Sequence, residues 1–525
     1  MTYHRRHEPQ AGLSVKRRTA IKAGGTIGAA LATLGLVEAV AYRPLRQQAK
    51  AANTPLPDIQ FDIGNFIGPA KTLEGVEVRF GPVFTLFATA RLTRTPTRTD
   101  QVTLASALNT IEASYPFSPE GVFTFVSYGL PYFNRLPGGA RGSLVSNFMP
   151  RLASNRRRPV LEEAVPSPTD VGQPGITKRA FNLPVRIERN DMLFTFRSDD
   201  QAIMQDVLEW LTGSNRLNGS SVASPRLPLT ITSARVMFQQ EGLPRKVADE
   251  NGLPFAGLIN PESPMWMGFF DQQTDSSGPA AITTFVGNAS ARVTSAQRGD
   301  YFDNGSIQHL SHVILDLPQF YDQTGDLNEG EAETFLERVQ YMFRSTLPLV
   351  SRGNEDQFTD GGGPSCLANA FLGPDNAEQD AQGINTEEGA HRIGHESALQ
   401  RSSRAADGTP MHIRMDGTGF DELDVPDGSK QPKLQFTVFV PSADFFTTMR
   451  RNSAALDLQR QFDVEESDNG LERFMTPTRR QNFLVPPRRH RAFPLVELAG
   501  RTGGGGGGGG TGGIGDSRVW RRPGH

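Results

Sequence analysis

Residues 191–213 read DMLFTFRSDDQAIMQDVLEWLTG, and this stretch decides the fold. The first eight residues, with Met192, Leu193, Phe194 and Phe196 among them, read as a strand. Asp199 or Asp200 can then accept the orphan amides of a helix, Ile203, Val207 and Leu211 recur on one helical face, and Gly213 is a natural stop. A strand leading straight into a capped amphipathic helix is half of an α+β unit.

Moving outward, 75–92 (GVEVRFGPVFTLFATARL) places Val76, Val78 and then Val83 to Leu92 in strands. Residues 99–114 space Leu104, Leu108 and Ile111 as a helix, and 121–133 (GVFTFVSYGLPYF) is a β-rich run. The first half therefore reads strand–helix–strand–strand–helix, which suits helices packed on one face of an antiparallel sheet. The second half repeats the order loosely. A strand falls at 307–317 (IQHLSHVILDL), a helix at 330–343 with Phe335, Val339 and Phe343 on one side, and a strand then a helix at 432–454. The expected fold class is α+β, with two ferredoxin-like units whose antiparallel sheets pack together as in a dimeric α+β barrel. The expected boundaries are 55–260 and 261–500, with an inserted loop at 345–390. Long Gly-rich segments of this kind inside a domain are often functional.

The two ends lie outside that scheme. Arg17-Arg18 precede Lys22 and an uncharged small-residue run, Ala23 to Val37, too short and too rich in Gly and Ala to span a bilayer. The paired arginines resemble a twin-arginine export signal, with A-x-A cleavage patterns at Ala39-Val40-Ala41 and Ala49-Lys50-Ala51. Residues 1–54 are read as signal and leader, so the export machinery is an expected partner and the location secreted, periplasmic or otherwise extracytoplasmic. No transmembrane segment is expected in the mature chain. The tail 501–525 is a low-complexity segment with an unbroken glycine run at 503–510 and is expected to be disordered. Net charge is −3, with 21% charged residues, which points to no nucleic-acid partner. The single cysteine, Cys366, excludes an intrachain disulfide and a cysteine-built metal cluster. Phenylalanine (33) far outnumbers tyrosine (8) and tryptophan (3), as an apolar interior or a pocket for a flat apolar ligand would require.

Three chemistries compete. His391 and His395 at i, i+4, with His412, could bind zinc, but H-R-I-G-H lacks the glutamate of H-E-x-x-H, and Gly394 weakens a helix there. A serine nucleophile has no G-x-S-x-G to sit on. Haem needs a neutral imidazole, an apolar cavity and, for peroxide, a distal acid and a cation. Asp271 beside Phe269 and Phe270, a loop histidine and a nearby arginine supply that set.

Residues 268–275, GFFDQQTD, resemble the G-x-x-D-G signature of dye-decolourising (DyP-type) haem peroxidases. The resemblance continues in order through 121–136, 191–211, 305–321, 432–451 and 468–487, and so covers most of 75–495. It implies haem b as cofactor, hydrogen peroxide and a small organic reductant such as a dye or phenolic as partners, and Asp271 as distal acid. It implies His395 as the proximal iron ligand, with His391 its competitor, and Arg414 as the distal cation that can also anchor a propionate. Phe270 and Phe436 are the implied cofactor-lining aromatics. Trp210 or Trp266 could pass oxidising equivalents to a reductant, although core packing accounts for both residues more simply. The chain departs from the signature at Gln272, where the family has Gly, and at Met415, where a double arginine would continue. A haem carrier or sensor of the same fold, or a secreted protein binding metal through its histidines, are the alternative readings. An oligomer is compatible with all three.

Overall fold

The computed structural model describes residues 56–166, 178–267, 280–287, 293–321, 412–463 and 472–499, with breaks at 70, 74–75 and 79, and residue 176 alone. The leader, the 345–390 loop, the 330–343 helix and the glycine tail lie outside the described residues, as do Asp271, Phe270, His391, His395 and Cys366.

Eight strands make the body. They are β1 (Phe84–Leu92), β2 (Phe123–Gly129), β3 (Met192–Ser198), β4 (Leu229–Phe238), β5 (Ser306–Leu315), β6 (Gly417–Asp421), β7 (Gln431–Val440) and β8 (Met475–Val485). Helix α1 (Arg98–Ser114) joins β1 to β2, α2 (Gln201–Thr212) follows β3, and α3 (Asp444–Ala454) follows β7. The first four strands lie in the order β4-β1-β3-β2 and the last four in the order β6-β7-β5-β8. Each is the strand order of a ferredoxin-like βαββαβ unit.

Two seams close the units into one antiparallel barrel. Thr418 of β6 pairs with Phe238 of β4, and Phe483 and Leu484 of β8 pair with Gly129 and Tyr128 of β2. Within the second unit, β5 pairs along its length with both β7 and β8. The barrel has an inside, between the sheets, and an outside, beneath the helices.

Strand alternation sorts the residues. In β1, Leu86, Ala88 and Ala90 face outward to Leu104, Leu108 and Ile111 of α1, while Thr85, Phe87 and Thr89 face inward. Thr97 caps α1 reciprocally: Asp100 N donates to Thr97 Oγ1, and Thr97 N donates to Asp100 Oδ2 at 2.7 Å. Asp200, not Asp199, caps α2, accepting from Ala202 N at 2.8 Å, and Gly213 ends that helix at φ 139°. Asp199 instead turns back to accept Val83 N at 2.9 Å.

Three details differ from the sequence reading. The run from Gly121 stops being a strand at Gly129, because Pro131 opens a short helix, Leu130–Arg135. Strand β4 completes the first unit although two of its inward positions, Ser233 and Arg235, are polar. The tryptophans are buried, with Trp210 2% and Trp266 1% exposed, and both donate Nε1–H to backbone carbonyls. They are packing residues, so a surface relay through either is corrected.

Candidate functional site

The second unit carries polar residues in two rows across the outer sheet face. Register aligns Asn482 (β8) with His309 (β5), His309 with Val438 (β7), and Val438 with Arg414 of the two-residue strand Ile413–Arg414. Residues directly opposite in a sheet point to the same side. The next row holds Arg480, Ser311 and Phe436. Phe445, Phe446 and Met449 of α3 cover this face.

His309 is fully buried, and its tautomer follows from its partners. Asn482 Nδ2 donates to Glu162 O at 3.0 Å, which orients the amide and turns Oδ1 toward the ring. His309 Nδ1–H therefore donates to Asn482 Oδ1 at 2.7 Å, and Nε2 accepts from Ser311 Oγ at 2.7 Å. Burial holds the imidazole well below its ordinary pKa, the Asn482 bond opposes this, and the Arg480 and Arg450 charges add to the lowering. The ring stacks on Phe446, centroids 3.4 Å apart, while the Arg480 guanidinium sits 5.5 Å from the centroid of that phenyl. Phe436 lies 5.9 Å from Phe446 and 6.5 Å from His309.

Three residues along β5, and so on the opposite face, His312 points into the barrel. Its Nδ1 meets Thr478 Oγ1 at 3.0 Å and its Nε2 lies 3.4 Å from Asp421 Oδ1. Around it run Arg479, bonded to Asp424 through both Nε and Nη2 and to Glu188 at 3.3 Å, then Arg235 on Glu188, and Lys433 3.7 Å from Asp421. Burial lowers Lys433 to about 8, against the pull of Asp421 and Asp424. The basic partners hold Asp421 and Glu188 below the ordinary carboxylate range despite burial. Three cations face three carboxylates here, and the network is structural.

Arg414 and Phe436 are therefore brought to one buried face. Arg414 is half-buried, and loss of solvation lowers its pKa, with Asp416 opposing. His412, two residues before Arg414 and buried, has its ring 5.8 Å from Phe445. A half-buried guanidinium on a face that also carries aromatic residues is a donor set suited to the edge and a carboxylate of a flat apolar cofactor. His309 and His312 have both ring nitrogens engaged, so neither presents a lone pair to a metal. Among the described residues there is no cluster of three or more acidic, histidine or cysteine ligands around a metal position. His412 is the one member of the His391, His395 and His412 set that lies within the described residues. The buried pair His309 and His312 went unremarked in the sequence, although two imidazoles in the otherwise apolar IQHLSHVILDL were the available signal.

The chain belongs to a family of unknown function, DUF7405, whose model matches residues 159–487. No curated protein matches the sequence. Among solved structures, the encapsulated DyP-type peroxidase from Mycobacterium smegmatis is similar at 13% identity and a TM-score of 0.40, over 78% of this chain and 96% of that one. A putative DyP-type peroxidase from Shewanella oneidensis is similar at 12% identity and 0.40, over 80% and 95%. A dye-decolorizing protein from V. cholerae gives 12% identity and 0.39, over 79% and 96%.

Proposed function

We propose that this chain is an exported haem protein with DyP-type peroxidase activity, its cofactor held against the outer face of the second α+β unit. The observation that carries the reading is the register that sets Arg414 two positions from Phe436 on that buried face, at the place in the chain where the sequence resemblance expects the distal cation. Two ferredoxin-like units in one barrel agree with the same reading.

Under it, His395 is the iron ligand, with His391 its competitor, and Phe270 and Phe436 line the cofactor. Haem b, when bound, would supply the redox iron and store the oxidising equivalents taken from peroxide. The chain's part is proton and charge management. Asp271 carries a proton from the inner to the outer peroxide oxygen, so that water is the leaving group. Arg414 stabilises the negative charge that develops as the O–O bond breaks, and its partial desolvation makes that interaction stronger than it would be in water. The reductant is a small organic molecule. The twin-arginine signal exports the chain already folded, which suits a cofactor inserted before export.

The test is an absorption spectrum of the chain produced with haem supply, before and after one equivalent of peroxide. A Soret band that shifts on peroxide, disappears in His395→Ala, and loses its rapid peroxide response in Asp271→Asn is the expected result. The departures at Gln272 and Met415 favour one second reading, a carrier or sensor, which a Soret band indifferent to peroxide would establish. A chain that takes up no haem overturns both.

A further inference from the structure

The barrel interior has a second region that the haem reading does not touch. At the end opposite the His312 network, the lumen is lined by Phe123, Phe125, Ile413, Phe439 and Val485 and capped by Phe61, Phe66 and Ile282. Phe61 stacks on Phe439 at 4.4 Å, and Gln60 ties the cap to the barrel through the carbonyls of Val126 and Pro486. Into this apolar end β3 sends Arg197, 5% exposed.

Register places Thr85 directly opposite Arg197 on the inner face, and Thr195 two residues along on the same side. Thr85 Oγ1, Thr195 Oγ1 and Arg197 Nε are all buried without a hydrogen-bond partner. The two threonines are wholly buried. Asp199, the carboxylate nearest in sequence, accepts Val83 N and makes no hydrogen bond to the guanidinium. Burial lowers Arg197 to about 10, with only the Asp199 charge opposing. Gly81 lets the guanidinium settle there: a Cβ at Gly81 would come within 2.9 Å of Arg197 Nη2.

The contrast with Arg235 sharpens the point. Arg235 also leaves Nε and Nη1 unbonded, but Glu188 meets its charge in a direct ion pair. Arg197 has a buried charge and no carboxylate bonded to it. Leaving one buried donor unmade costs about 1–3 kcal/mol, more for a charged group, and three such groups on adjacent inner positions define a place for an acceptor.

We propose that Arg197, Thr85 and Thr195 form a binding site in the lumen for a small monocarboxylate. The guanidinium fork matches the two oxygens of a carboxylate, and the hydroxyls donate to its remaining lone pairs. A single cation among phenylalanines can neutralise one charge and not two, which selects against sulfate and phosphate. The phenyl rings suit a short apolar tail. The site is independent of haem, and its test does not depend on cofactor loading.

The test is equilibrium dialysis of the full chain against radiolabelled acetate at constant ionic strength, for wild type, Arg197→Gln and the double variant Thr85→Val/Thr195→Val. The wild type is expected to take up about one equivalent, displaced by formate but not by chloride, because each lost donor to a charged partner is worth about tenfold or more in affinity. Arg197→Gln should abolish uptake, and the valine pair, near in shape to threonine, should weaken it about tenfold or more. No saturable uptake by the wild type, displacement by chloride as effective as by formate, or an unchanged affinity in the valine pair would each overturn the proposal. If Arg197→Gln fails to fold, the valine pair decides.

Discussion

The two halves of this barrel share a strand order and differ in what they place under their helices. The first unit covers its outer face with apolar side chains alone where it matters: Leu86, Ala88, Phe194 and Phe196 from the strands, Leu104, Leu108, Val207 and Leu211 from α1 and α2. The second unit puts His309, Ser311, Arg480, Asn482 and Arg414 beneath its cover, among Phe436, Phe445 and Phe446. Polar groups in such a position cost stability unless every one is bonded, and a fold keeps them where chemistry or specificity requires it. One topology thus buries an apolar layer under the helices of its first copy and a bonded polar set under those of its second, where the proposed site lies.

The largest effect that would test this division is on peroxide. Arg414→Ala should slow the reaction of the haem-loaded chain with peroxide about 10²-fold or more, as loss of a charge-stabilising donor does elsewhere, while shifting the urea midpoint little; stopped-flow absorbance and a denaturation curve measure the two. Equal rates would remove Arg414 from the proposed site.

Next comes the scaffold. Phe194→Ala should cost about 3–5 kcal/mol in urea unfolding through the cavity it leaves, with the peroxide rate unchanged in the protein that remains folded. A rate loss of the same size as in Arg414→Ala would erase the distinction between the units.

A pH series then probes the buried imidazoles. His309 and His312 both have folded-state pKa values below the ordinary 6.5, chiefly through burial. Below that pH the unfolded chain binds protons that the folded chain refuses, so stability is full above about 6.5 and falls as the solution is acidified. His309→Gln, which cannot titrate, should flatten the acid limb between pH 6.5 and 5 by up to about 1.4 kcal/mol per pH unit. An acid limb identical to wild type would mean that His309 is not held neutral by its surroundings. The smallest effect belongs to the helix cap of the first unit: Thr97→Ala should cost about 1 kcal/mol and leave haem binding and peroxide turnover untouched.

The sequence shows the scaffold more openly than the site. Strand β3 and helix α2 are legible because an aromatic-rich run, Met192 to Phe196, meets a capped 3.6-residue period at Asp200. Strand β4 is not, because two of its inward positions, Ser233 and Arg235, are polar and break the apolar alternation, Ser233 bonding Thr89 and Arg235 pairing with Glu188. Strand β6 hides for a different reason. Its glycines leave room for close approaches, since a Cβ on Gly417 would meet Met237 Sδ at 3.0 Å and one on Gly419 would meet Gln435 Nε2 at 3.2 Å. A Gly-Thr-Gly segment has no strand signature of its own, and only its neighbours make it one. At the proposed site, Arg414 and Phe436 are expectations from the sequence that register places on one sheet face. His309, Asn482 and Arg480 were not legible, because what unites them is register between strands far apart in sequence. Asp271 and His395 remain expectations from the sequence.

The seams have one more consequence. A sheet that ends in an unpaired strand presents a row of free amides and carbonyls on which a second chain can template itself. Here β4 meets β6 and β2 meets β8, so the eight barrel strands form a ring with no outermost member. The seams are short, a single paired position at one and two at the other. The ring's resistance to strand-to-strand aggregation rests on three pairings: a chain that loses either seam opens into one sheet with two free edges, and a chain that loses both becomes two open sheets, each offering edges to its neighbours.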